Sequence, residues 1–417
     1  MQGPLGGLIP RITKLPTNGS SGNNTTSSEE YQHYVQQLLE QLQLLPAKHL
    51  LVDKGQDDVQ AYDIDARLKT YVIPFAVKFE TSNERYNLQE TFNRFLLPTE
   101  VDATNKQRCS TFVVLGRAGS GKTLFTLWAF LEYVLTPWHE YRHGKGPKPK
   151  PHWLPIYIPL KDYPYAEAKL QTYVENALLQ DYRVDEADLI HLKAGLGEQH
   201  QQHILFILDG YDELGKGNNP NFSKVLLQAD FTTIMLSPTL PSQQQQLGSS
   251  AAGGTVFVYL EEGKLCYIVC GSGGALPKSP VVIPPAELAS ISYDALLKKL
   301  RELQELRELQ APQLLPHEHV VAMVQYLSKE GLQMAWRYAK VLVTGRPEHF
   351  NNDSEHLTAF GLVDGITGAQ LRPSYEVHYV APFSTEDIEV YIQRYKDVVA
   401  ERIASGKSTE VDELTAL

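Results

Sequence analysis

Gly116-Arg117-Ala118-Gly119-Ser120-Gly121-Lys122-Thr123 matches the pattern G-x-x-x-x-G-K-[ST]. Its glycines let successive backbone N–H groups turn toward one point with no Cβ in the way, which suits a chain of phosphates. Lys122 brings a point charge to the β and γ phosphates of a nucleotide, and Thr123 offers a hydroxyl to Mg2+. The five residues before it, Thr111–Leu115, read TFVVL, and TLFTLWAFLEYVL follows until Pro137. An apolar strand, a Gly-rich loop and a buried helix in that order put the positive end of the helix against the anion.

Further strands are expected at Leu154–Leu160, Ile204–Leu208, Val341–Thr344 and Glu376–Val380. Several are apolar at successive positions, as in strands covered on both faces. Strands separated by helices imply a parallel sheet with crossovers. The expected fold is therefore α/β: a P-loop NTPase fold with a five-stranded, mainly parallel sheet flanked by helices.

The strand after Gln202 ends His203-Ile204-Leu205-Phe206-Ile207-Leu208-Asp209, followed by Gly210-Tyr211-Asp212-Glu213. An apolar strand ending in Asp is the Walker B pattern, in which Asp209 holds Mg2+ through its water shell. Asp212 and Glu213 are both placed to polarise an attacking water, and the sequence does not choose between them. A third strand ends Thr344-Gly345-Arg346-Pro347. At the C-terminal edge of the sheet, Arg346 would face the γ-phosphate and report its presence.

Asp209 and Arg346 are separated by far more chain than one helix crossover needs. The interval from about 215 to 316 has a different texture and is read as a large insertion containing a β-hairpin and a helix. The hairpin is TVFVYL-EEG-KLCYIVC, and the helix is LLKKLRELQELRELQ. Its leucines recur every third residue, which drifts around a helix and makes no sustained coiled-coil seam. Residues 1–30 are rich in Gly, Ser, Asn and Thr and are expected to be disordered. Residues 31–105 are expected as a helical segment ahead of the core, which then runs over 106–417. Just ahead of that segment Ser27 and Glu30 would form a capping box for a helix expected from Tyr31 to Leu42, and another helix is expected near Leu88–Leu97.

Together these elements resemble the NACHT family of STAND P-loop NTPases. The family's D-G-x-D-E form stands here as Asp209 to Glu213, and its T-x-R-P segment as Thr344 to Pro347. Its F-S-x-x-x-I-x-x-Y-I segment is matched by Phe383, Ser384, Ile388, Tyr391 and Ile392. The resemblance runs from roughly Thr111 to Ile403 without the insertion. The family's winged-helix and repeat segments have no counterpart up to Leu417. The resemblance implies ATP with Mg2+ as ligand, slow hydrolysis that serves a signalling switch, and self-association in the triphosphate state. The insertion is expected to leave and rejoin near the catalytic face, where it would gate nucleotide, receive a protein partner or stand as a decoration without a role.

Bulk composition agrees with that reading. The chain has 417 residues, 42% apolar and 21% charged, with a net charge of −11. An acidic balance disfavours general nucleic-acid or anionic-membrane binding. The basic loop from Arg142 to Trp153 reads as a solvated connection. Three cysteines (Cys109, Cys266, Cys270) make no disulfide framework and fit a reducing, cytoplasmic setting. Cys266 and Cys270 share one face of a strand and read as core thiols rather than zinc ligands. His317-Glu318-His319 reads as a surface loop. No apolar run reaches the roughly 20 residues of a membrane span. The motifs leave a second class open, namely an assembly or motor ATPase or a small-molecule kinase. A kinase calls for an arginine-rich lid, and the chain offers none beyond the insertion.

Overall fold

The computed structural model describes residues 71–72, 74–78, 84–96, 110–130, 153–163, 170–180, 184–194, 203–214, 221–227, 230–240, 254–270, 280–305, 312–336, 339–350, 353–361 and 375–404. The expected disordered tail, the helix from Tyr31 to Leu42, Cys109 and nearly all of the basic loop lie outside these.

Among the described residues twelve strands form two sheets. The main sheet contains β1 (Phe75–Val77), β2 (Arg85–Asn87), β3 (Thr111–Leu115), β4 (Trp153–Pro159), β5 (His203–Asp209), β11 (Ala339–Gly345) and β12 (Tyr375–Val380). Its order is β2-β1-β12-β3-β11-β5-β4. The five strands from β12 to β4 are parallel. The sheet nevertheless has seven strands rather than five, because β1 and β2 extend it antiparallel beside β12. The chain ahead of β3 therefore contributes strands to the core sheet as well as a helix.

Alternate residues of the central strands go to opposite cores, as a pleat requires. Val113, Leu115, Phe206, Leu208, Val341 and Val343 face one way, against α3 (Leu170–Gln180), α4 (Glu186–Ala194), α5 (Phe222–Leu227) and α8 (Asp353–Phe360). Phe112, Val114, Leu205, Ile207 and Leu342 face the other, against α1 (Leu88–Leu96) and α2 (Lys122–Phe130). In α1 the residues Leu88, Phe92, Phe95 and Leu96 fall on one stripe, and the Asn87 side chain accepts the Glu90 N–H at 3.0 Å as an N-cap. Pro155 and Pro159 are confined to the edge strand β4, where a missing N–H costs least.

The interval between β5 and β11 holds more than a hairpin and a helix. It carries a second, five-stranded sheet, ordered β10 (Gln313–Leu314), β6 (Phe231–Leu236), β7 (Gly254–Glu261), β8 (Lys264–Cys270) and β9 (Val281–Val282). The β7–β8 hairpin turns at Glu262 and Gly263, both at positive φ (50° and 76°), as a tight two-residue turn demands. One face of this sheet packs on α6 (Ser290–Glu305) and α7 (His317–Lys329). Cys266 and Cys270 lie buried on the opposite face with Phe257, Tyr259 and Ile268. His317-Glu318-His319 is not a surface loop. It forms the first turn of α7, which the sequence masks because Pro316 precedes it and supplies no side-chain cap.

Helix α4 joins the two cores. Its Leu189 and Leu192 face the main sheet, while Ile190 and Ala194 face the second. The main chain ties them again where Ala335 N–H donates to Phe231 O (2.7 Å) and Trp336 N–H to Leu226 O (2.9 Å). Strand β11 begins three residues after Trp336, at Ala339. At the far end, α9 (Thr385–Ala404) is capped reciprocally: Ser384 N–H donates to Asp387 Oδ2 at 2.8 Å and Asp387 N–H to Ser384 Oγ at 3.2 Å. Among the described residues no helix is long and apolar enough to cross a membrane.

Candidate nucleotide site

The C-terminal ends of β3, β11 and β5 are neighbours, and each ends in one of the sequence motifs. After β3 the chain turns through Gly119 (φ 75°) and Gly121 (φ 88°), conformations that L side chains rarely adopt. The loop is fixed to the next strand by the Gly116 N–H donating to Gly345 O at 3.1 Å, and closed by the Ser120 N–H donating to Arg117 O at 3.1 Å. A Cβ at Gly116 would lie 2.4 Å from Ser120 Oγ and 3.1 Å from Val380 Cβ, so the loop is packed too closely there for a side chain. The Ser120 hydroxyl is buried without a hydrogen-bond partner.

Lys122 opens α2, and its ammonium curls back over the loop. It donates to the Gly116 carbonyl at 2.6 Å and the Arg117 carbonyl at 3.1 Å. Burial lowers its pKa; Asp212 opposes that, Arg346 adds to it, and Asp209 opposes it. Thr123, the next residue, is exposed at the helix start.

Asp209 closes β5. It stands two residues beyond Ile207, so the pleat places it on the same sheet face as α2. Thr344, at the equivalent position of β11, donates its hydroxyl to Asp209 Oδ1 and accepts the Gly210 N–H at 3.1 Å. Tyr157 of β4 donates its hydroxyl to Asp209 Oδ2 at 3.0 Å. Linear reading misses Tyr157 altogether and finds Thr344 only as the first residue of the T-x-R-P segment, without its contact to Asp209.

Beyond Asp209 the chain passes through Gly210 (φ 86°) into a single 3-10 turn, Tyr211–Glu213. Tyr211 is fully buried, with its ring against Phe222, His349, Phe350 and Phe360. That anchor aims Asp212 and Glu213 outward. Asp212 Oδ2 lies 2.8 Å from Arg346 Nε. The Glu213 carboxyl is pushed above its ordinary value, chiefly by burial and then by Asp212 and Asp209, against the opposing charges of Lys161 and Arg346. Lys122, Asp209, Asp212, Glu213 and Arg346 are thus gathered at one edge of the sheet.

The donor set fits a Mg2+-bound polyphosphate. A loop with two positive-φ glycines, a buried hydroxyl at Ser120 without a partner and an ammonium held only by main-chain carbonyls make a donor set suited to phosphate oxygens. A single carboxylate with one exposed threonine suits a cation that keeps most of its waters.

A parallel sheet with a glycine loop between its central strand and a buried helix defines a P-loop nucleotide-binding fold. The family model described as NACHT domain matches residues 110–247, from the start of β3 through β5 to beyond β6. Over that stretch, about a third of its length, the chain is similar to a NACHT domain, which points to a nucleoside-triphosphatase domain of the STAND type. No curated protein matches the chain.

Proposed function

We propose that the chain is an ATP-binding, slowly hydrolysing signalling switch whose nucleotide state sets its conformation or self-assembly. The observation that carries this reading is that the three motifs are tied together at one edge of the sheet: Gly116 N–H donates to Gly345 O at 3.1 Å, Thr344 donates to Asp209, and Arg346 Nε lies 2.8 Å from Asp212 Oδ2.

In this reading the backbone from Gly116 to Gly121 and the Lys122 ammonium bind the phosphates, including Arg117, Ala118, Gly119 and Ser120 through their main chain. Thr123 and Asp209 would hold Mg2+, which would supply positive charge to the phosphates. Glu213 takes the proton of the attacking water. Its raised basicity suits that role, and Asp212 is already engaged by Arg346. Arg346 exchanges Asp212 for the third phosphate, which makes it the sensor. The second sheet, which shares α4 with the main one, would pass that exchange to a protein partner.

Calorimetry and turnover test the reading. Lys122→Ala should abolish ATP binding, and the native chain should hydrolyse ATP well below the ~1–100 s⁻¹ of kinases. Light scattering should show a larger particle with a non-hydrolysable ATP analogue than with ADP. Undiminished affinity in Lys122→Ala would remove the site. Fast transfer to an added acceptor would instead make the chain a kinase.

A further inference from the structure

Tyr157 is a polar residue in the middle of an apolar edge strand, and its hydroxyl has a specific target. In the register of β4 against β5, Tyr157 pairs with Ile207 and Pro159 with Asp209. At about 3.3 Å per residue, Asp209 stands roughly 7 Å further along the sheet than the tyrosine's own backbone. A phenol spans that offset with its ring still packed against the Ile207 face of the sheet, whereas serine or threonine falls short.

The result is a carboxylate gripped from both neighbouring strands. Tyr157 of β4 donates to Oδ2 at 3.0 Å, and Thr344 of β11 donates to Oδ1. An aspartate's terminal torsion is intrinsically broad. One donor on each oxygen fixes the plane of the group and leaves its remaining lone pairs in set directions. A hydrogen bond to a charged group is stronger than one between neutral groups, enough to hold that orientation.

We propose that Tyr157 is a positioning residue for Asp209, orienting the carboxylate toward the water shell of the bound divalent cation. The inference rests on Asp209 being the metal-side carboxylate of the proposed function.

The test is Tyr157→Phe in the full chain, which keeps the ring and removes only the hydroxyl. ADP binding is followed by calorimetry across a Mg2+ titration and again with EDTA. The half-saturating Mg2+ concentration should rise about tenfold, the size expected for one lost charge-assisted hydrogen bond. ADP affinity in EDTA should stay as in the native chain. Ile158→Val, which trims a buried side chain on the opposite face of the same strand, is the packing control. An equal Mg2+ shift in that control, or none in Tyr157→Phe, overturns the assignment. Asp209→Asn separates the two levels of the argument. If it raises the Mg2+ requirement while Tyr157→Phe does not, only the role of Tyr157 falls. If neither moves it, the metal assignment of Asp209 falls with it.

Discussion

Arg346 Nε lies 2.8 Å from Asp212 Oδ2, joining the end of β11 to the turn after β5. The arginine side chain is 51% exposed and the aspartate 12%. A pair so open to water contributes at most about 1 kcal/mol, so a nearer anion can displace it at little cost. Arg346→Ala should therefore leave the nucleotide-free protein almost as stable as before. It should also shrink the preference for a triphosphate analogue over ADP by about tenfold, the share of one charge-assisted bond to phosphate. Competition calorimetry measures both affinities; equal losses for the two nucleotides would deny Arg346 a sensing role.

Thr344 makes two bonds with one hydroxyl, donating to Asp209 and accepting from the Gly210 N–H, in a fully buried position. Valine has nearly the same shape and neither capability. Thr344→Val strips a donor from a carboxylate and leaves a main-chain N–H without its acceptor. The expected loss is about 2–3 kcal/mol in urea unfolding. Thr344→Ser retains the hydroxyl and should recover most of it. If valine and serine behave alike, the bridge has no energetic role.

What was legible in the sequence followed contiguity. Strands β3, β5 and β11 announce themselves as unbroken apolar runs because both faces are buried. Strands β1 and β2 have three residues each, too few to show a period, and belong to the sheet only through distant pairing with β12. Likewise β7 and β8 read as a hairpin through their turn, but β6 and β10 join them by pairings between residues remote in the chain. At the site, Lys122, Asp209 and Arg346 stood out because each belongs to a short motif. Tyr157 did not, since its link to Asp209 exists only in the register of β4 on β5. Tyr211 occupies the variable position of D-G-x-D-E, yet it is fully buried and anchors the turn.

Gly210 sets the direction in which that turn leaves β5. Its φ is 86°, and an added Cβ would lie 3.1 Å from Glu213 Cδ. Gly210→Ala thus strains the backbone by about 1–3 kcal/mol and pushes directly on the carboxyl proposed to activate water. ATP turnover should fall at least about tenfold while ADP affinity, carried by the loop before α2, stays close to native. Single-turnover assays beside calorimetry distinguish these. Equal loss of binding and turnover would mean that the whole site, rather than Glu213, had moved.

Helix α4 carries two buried groups that answer acid in opposite senses. His191, 2% exposed, is pushed down to about 4 by burial first and then by His317, whose ring centre is 6.3 Å away, with Asp185 pulling the other way. Asp188, 3% exposed, is pushed up to about 6 by burial, against a hydrogen bond that its carboxyl accepts from the Asp185 main chain. For the histidine, the unfolded chain takes a proton near pH 6.5 and the folded one only near 4, so stability is lost as pH falls across that window. For the aspartate, the folded carboxyl is protonated below about 6 and the unfolded one only near 3.8, so stability is gained as pH falls across that window. Each shift corresponds to on the order of 3 kcal/mol, and in the native chain the two offset one another. Asp188→Asn, neutral at every pH, should unmask the histidine and make urea stability decline between pH 6.5 and 4. His191→Gln should unmask the aspartate, with stability rising as pH drops from about 6 toward 3.8. Because α4 is shared by both cores, those slopes report on the junction between the nucleotide sheet and the second sheet. Parallel pH profiles for both variants would show that neither group titrates differently on folding.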